Sequence, residues 1–138
     1  MGYEESKIQQ ACVMWFRYQY SPLAKLLIAV PNAGKRSTKV ISTRNGYKTV
    51  CIGGKRAKDE GMVAGVSDLI LLTPKKGYGC LCIEMKTEDG DQSKAQKEWQ
   101  AASEKGGNKY VVVRNYDEFR SEIEDYLGKI DEKMPNFQ

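Results

Sequence analysis

Apolar positions divide the chain into alternating helical and extended segments. Ile8, Cys12, Trp15 and Phe16 recur at helical spacing, with acids ahead of them and Pro22 beyond, which predicts a first helix over 4–19. Residues 26–30 form a short apolar run closed by Pro31-Asn32-Ala33-Gly34, a strand and its turn. Two β-prone runs, 39–43 and 47–52, flank Arg44-Asn45-Gly46, and Asn-Gly in that setting predicts a two-stranded arm. After a brief helix at 54–60, two runs rich in Ile, Leu and Val between Gly65 and Lys86 flank Thr73-Pro74-Lys75-Lys76-Gly77, the pattern of a second hairpin. Ser93 and Gln96 fit a capping box that opens a helix over 93–105, with Ala95, Trp99 and Ala102 as its buried face and Gly106-Gly107 as its end. Residues 109–114 read as a strand whose Val111-Val112-Val113 run predicts burial on both faces. A last helix opens at Asn115, with Phe119, Ile123 and Leu127 inward, and 129–138 read as a flexible tail. Helices enclosing a mixed sheet follow from this order, as an α/β domain over 1–128.

The central hairpin carries ionisable groups where a buried hairpin would not normally place them. Side chains alternate along a strand, so Glu84 and Lys86 leave one face while Ile83 and Met85 leave the other. Asp68 opens the preceding strand, and pairing across the turn would bring it beside Glu84. Two carboxylates next to an ammonium suit both a divalent cation and an anionic substrate. The bland alternative is an exposed strand face with a salt bridge.

Composition narrows the chemistry. The 138 residues suffice for one domain with a real core, and at 41 % hydrophobic and 29 % charged the chain reads as soluble, with no apolar run long enough to span a membrane. Met1 is followed by Gly-Tyr-Glu-Glu-Ser rather than by a basic and then apolar stretch, so the expected location is the cytoplasm. Cys12, Cys51, Cys80 and Cys82 form no Cys-x-x-Cys pair and read as buried thiols. Histidine is absent, which removes Ser-His-Asp and Cys-His catalysis and His-ligated zinc. Hydrolysis would have to run on carboxylates, lysine and a metal, and hard oxygen ligands favour Mg²⁺ or Mn²⁺.

The net charge of +4 is unevenly spread. Lys35, Arg36, Lys39, Arg44, Lys48, Lys55, Arg56 and Lys58 lie in one stretch without an acid, the footprint of a phosphate-backbone binder or, more plainly, a solvated loop. The arm at 39–52 could lie along a nucleic-acid groove. Gly34-Lys35-Arg36-Ser37 does not make a nucleotide-binding loop, because Ala29 stands where the first glycine is required and Arg36 where Ser or Thr is, so no nucleotide cofactor is expected. Glu5 and Gln9 share one stripe of the first helix, where Glu5 alone reads as a favourable carboxylate at a helix N-terminus.

Taken together, these residues resemble the VRR-NUC family of the PD-(D/E)xK nuclease superfamily, in its small stand-alone phage-borne form. The resemblance rests on Glu5 with Gln9, on Val30-Pro31-Asn32-Ala33-Gly34-Lys35-Arg36, on Gly61-x-x-x-Gly65-x-Ser67-Asp68, on Glu84-Met85-Lys86 and on Ser93-x-x-Gln96. Ser67 departs from the proline usual there, and the basic hairpin at 39–52 looks like an insertion. The resemblance implies an αβββαβ core and a metal-dependent DNA endonuclease using Mg²⁺ or Mn²⁺. Asp68, Glu84 and the Met85 backbone carbonyl would hold the cation, with Glu5 completing the acidic cluster. Lys86 would be the catalytic lysine, with Gln96 beside it. Small members resemble Holliday-junction resolvases, which implies a homodimer acting on branched DNA; Lys35, Arg36, Lys39, Arg44, Lys48, Lys55 and Arg56 would contact it. The rival reading is a nuclease-like fold kept only to bind DNA.

Overall fold

The computed structural model describes residues 2–31, 38–51 and 54–129. The expected Lys35 and Arg36 contacts, the 32–34 turn and the tail from residue 130 lie outside them. Helix α1 (Tyr3–Gln19) runs into a 3₁₀ turn (Ser21–Leu26) with Pro22 in its first turn, a local feature the helical periodicity does not announce. Strand β1 (Leu27–Ala29) follows. Among the described residues, strands β2 (Thr38–Thr43) and β3 (Gly46–Cys51) pair with each other alone, as a two-stranded sheet. Their turn is Arg44-Asn45, with Gly46 already opposite Thr43, one residue short of the loop expected from sequence.

Helix α2 (Gly54–Asp59) leads to β4 (Leu69–Leu71) and β5 (Leu81–Met85), then α3 (Lys94–Lys105), β6 (Lys109–Val113) and α4 (Tyr116–Leu127). The main sheet has the order β1-β4-β5-β6, antiparallel except for the parallel β5–β6 pair. Between β4 and β5 the chain reverses at Lys76-Gly77, both at positive φ, inside a Lys75–Tyr78 bridge.

Strand β5 is central and buried along its whole length. Leu81, Ile83 and Met85 pack into the core with Cys12 and Phe16 of α1 and Phe119, Ile123 and Tyr126 of α4. Cys82 and Glu84 point to the opposite face, where Ser103 of α3 lies 3.3 Å from the Cys82 Sγ. Two local readings change here. Val111 and Val112 are only half-buried, because β6 is an edge strand. On α3 the buried residue is Ser103, whereas Ala102 is exposed: the helix meets the polar-lined face of β5, where a small hydroxyl fits against a thiol.

Candidate active site

The β4–β5 register pairs Leu69 with Ile83. One step further, past the end of β4, it sets Asp68 opposite Glu84. The pair is held by backbone as well as by register: the Met85 N–H donates to Asp68 Oδ2 at 2.8 Å, while Val30 N–H donates to the Asp68 carbonyl at 2.9 Å. Asp68 is 8 % exposed and Glu84 1 %. A strand residue presents its N–H and C=O on one edge, so the Met85 carbonyl faces the same side as the N–H that Asp68 takes.

Burial, and then the neighbouring Asp68 carboxylate, push the Glu84 pKa up from 4.5 to about 9, against smaller opposing pulls from Lys86 and the Tyr110 hydroxyl. Like charges forced together out of water favour the protonated acid. The same juxtaposition is relieved by a cation, so the donor set fits a hard divalent ion that takes carboxylate and carbonyl oxygens and keeps several waters.

Both Glu84 oxygens already have donors. Gln96 Nε2 reaches Oε1 at 3.2 Å and the Tyr110 hydroxyl reaches Oε2 at 3.2 Å. The capping box at the start of α3 is present, with Ser93 N–H donating to Gln96 Oε1 at 2.8 Å and Gln96 N–H to Ser93 Oγ at 3.2 Å. One amide therefore serves two purposes: its oxygen caps the helix and its nitrogen holds Glu84. Gly65 makes this docking feasible. At φ +83 it lies so close to α3 that a Cβ would stand 2.2 Å from the Ala95 carbonyl oxygen, and only glycine permits both the conformation and the approach.

Lys86 is half-buried just past the end of β5, its N–H bonded to the Val113 carbonyl at 2.9 Å. The loop behind it is pinned by Arg114, whose Nη1 donates to the carbonyls of Thr87 (2.7 Å), Glu88 (3.3 Å) and Gly90 (2.7 Å). Glu5 sits half-buried on the first turn of α1. Among the described residues no three His, Cys, Asp or Glu side chains form a group that could hold a metal. Helix α1 is anchored further along by buried Cys12 and Phe16, which fixes where its first turn lies.

Of the basic residues, Arg44 and Lys48 are exposed on the β2–β3 arm, and Lys39 lies in β2 opposite Val50. Lys55 and Arg56 on α2 are also exposed but pair with Asp59 (3.0 Å) and Glu60 (2.8 Å) one turn on. Tyr110, Gln92 and Arg114 escape a sequence reading, because each acquires its partner through the parallel β5–β6 register or the loop path, and neither leaves a local signal.

Three comparisons bear on this arrangement. The family model for the VRR-NUC domain matches residues 3–115. A solved structure of a VRR_NUC domain protein superposes with a TM-score of 0.71 at 24 % identity, covering 92 % of this chain and 90 % of its own, and shares the mixed sheet flanked by helices. No curated protein matches the sequence. No helix among the described residues is long and apolar enough to cross a membrane. With the family model spanning the sheet, the carboxylate pair and the capped helix alike, the chain belongs to the VRR-NUC domain family of nuclease-type proteins.

Proposed function

We propose that this protein is a divalent-metal-dependent DNA endonuclease, selective for branched DNA in the manner of Holliday-junction resolvases and acting as a homodimer. The observation that carries the metal-dependent chemistry is the buried Asp68–Glu84 pair beside Lys86, two acids held together where only a shared proton or a cation relieves their repulsion. Asp68, Glu84 and the Met85 carbonyl would hold Mg²⁺ or Mn²⁺. Glu5, on the first turn of α1, would complete the acidic set. Bound there, the cation would supply charge neutralisation at the phosphate and acidify a water molecule.

The chain's own residues do the rest. Gln96 and Tyr110 orient Glu84 through its two oxygens. Lys86, next along the strand on the same side as Glu84, orients the attacking water, accepts its proton, or offsets the phosphate charge. The β2–β3 arm, with Lys39, Arg44 and Lys48, would grip a duplex limb, and Lys35 and Arg36 precede it in the same basic stretch. A twofold dimer would set two sites against symmetric strands.

The test is cleavage of labelled four-way junction, fork, linear duplex and single strand with Mg²⁺, Mn²⁺ or EDTA, wild type beside Asp68→Ala. Metal-dependent cutting that disappears in the variant, with the junction preferred and a dimer in sedimentation, is the expected result. Uncut but bound DNA with either metal would turn the reading to a binding-only protein.

A further inference from the structure

We infer that Tyr110 is a positioning residue for the carboxylate site, aiming Glu84 at the divalent cation and setting the affinity with which that cation is held. The inference rests on the metal reading of the Asp68–Glu84 pair. Tyr110 stands on β6 opposite Cys82 and is 7 % exposed, so its hydroxyl must find a partner inside the protein. It has two. Gln92 Nε2 donates to the phenol oxygen at 3.2 Å, and the hydroxyl lies 3.2 Å from Glu84 Oε2. A phenol has one proton to give. With its oxygen already accepting from Gln92, that proton is directed to Glu84.

Gln92 is itself oriented. Its Nε2 also donates to Gln100 Oε1 at 2.9 Å, which holds the amide against Tyr110. The Tyr110 ring is set against Trp99 of α3, centroids 6.1 Å apart. The chain of bonds Gln100–Gln92–Tyr110–Glu84 thus ties helix α3 and the loop after Lys86 to one oxygen of the carboxylate, while Gln96 ties the other.

For packing alone, phenylalanine would serve at position 110. What the hydroxyl adds is a fixed carboxylate plane. A ligand locked before the cation arrives loses no further rotamer freedom on binding, and outer hydrogen bonds of this kind typically change metal affinity by about 10–100-fold. Once ionised, Glu84 would keep a lone pair on each oxygen for the cation beside the bonds from Gln96 and Tyr110.

The experiment uses the full chain, metal-free, as wild type, Tyr110→Phe, Gln92→Ala and Asp68→Asn. Mn²⁺ binding is followed by calorimetry and by the electron-paramagnetic signal of free Mn²⁺, with melting curves alongside. Tyr110→Phe keeps the ring and its Trp99 contact; its Mn²⁺ dissociation constant should rise about 10–100-fold. Gln92→Ala should shift it several-fold in the same direction, and saturating Mn²⁺ should restore most of the Tyr110→Phe cleavage rate. A purely structural tyrosine would lower the melting temperature and leave Mn²⁺ affinity unchanged, and that result overturns the inference while leaving the metal site standing. If wild type fails to bind Mn²⁺, or Asp68→Asn binds it equally well, the metal reading falls and this inference with it.

Discussion

Asp68 Oδ2 accepts the backbone N–H of Met85 at 2.8 Å, so an acid beyond the end of one strand completes the hydrogen bonding of the next. This bond separates two functions of one carboxylate. Asp68→Asn can keep an oxygen on the Met85 N–H while losing the charge; Asp68→Ala loses both and leaves a buried donor unpaired, a cost of about 1–3 kcal/mol. In metal-free urea unfolding, Asp68→Ala should be less stable than Asp68→Asn by about that amount. Both should be inactive. Equal stabilities for the two variants would mean that the bond to Met85 contributes nothing.

Much of this arrangement was legible from residue types and spacing. The hairpin register follows from apolar runs that leave little choice of pairing, so Asp68 beside Glu84 could be expected, and Ser93 and Gln96 announce their own cap. What was not legible depends on neighbours distant in sequence. Val111 and Val112 look like a strand buried on both faces, but nothing local says that β6 ends the sheet. Ser103 is buried where it meets Cys82 of β5, and the partners of Tyr110 exist only once β5 and β6 are parallel and in register. Lys55 and Arg56 belong to an acid-free stretch in sequence, yet helical geometry turns them toward Asp59 and Glu60, just past its end.

The raised pKa of Glu84 has a definite sign in stability. Below pH 4.5 the residue is protonated both folded and unfolded and costs nothing. Between 4.5 and about 9 the unfolded chain releases the proton that the folded one keeps, so metal-free stability falls as pH rises through that window. Glu84→Gln removes this contribution. Its stability relative to wild type should grow from pH 5.5 to pH 8.5 in urea titrations with EDTA present. Binding of Mn²⁺ to wild type near neutral pH should also release a proton, visible as a buffer-dependent calorimetric enthalpy. A constant difference between the two proteins across pH would show that Glu84 titrates normally.

Gly65 predicts a coupling between loop and helix. A Cβ there would meet the Ala95 carbonyl oxygen at 2.2 Å at a φ of +83 that side chains rarely adopt. Gly65→Ala must therefore push the start of α3 away from the loop that carries Asp68, and Gln96 with it. We expect a loss of several kcal/mol, as for other substitutions that combine strain with overpacking, and weaker Mn²⁺ binding in whatever fraction remains folded. Gly107, also at positive φ but with open space where its Cβ would lie, is the control for strain alone. If Gly65→Ala were no worse than Gly107→Ala, the close approach to Ala95 would carry no weight.

Arg44 and Lys48 are exposed on the β2–β3 arm, whereas Lys55 and Arg56 each have an acid within 3.0 Å. A free cation displaces condensed counterions from DNA; one paired to a carboxylate must first give up that pair and leaves the acid facing the phosphates. Arg44→Ala with Lys48→Ala should therefore weaken duplex binding at low salt and reduce the slope of log K against log salt by about 0.9 for each phosphate no longer neutralised. Lys55→Ala with Arg56→Ala removes the same formal charge and should change both quantities less. Fluorescence anisotropy across a salt series, with EDTA to prevent cleavage, gives the two slopes directly. If the α2 pair proved the more damaging, DNA would run along α2 and the arm would be a solvated hairpin.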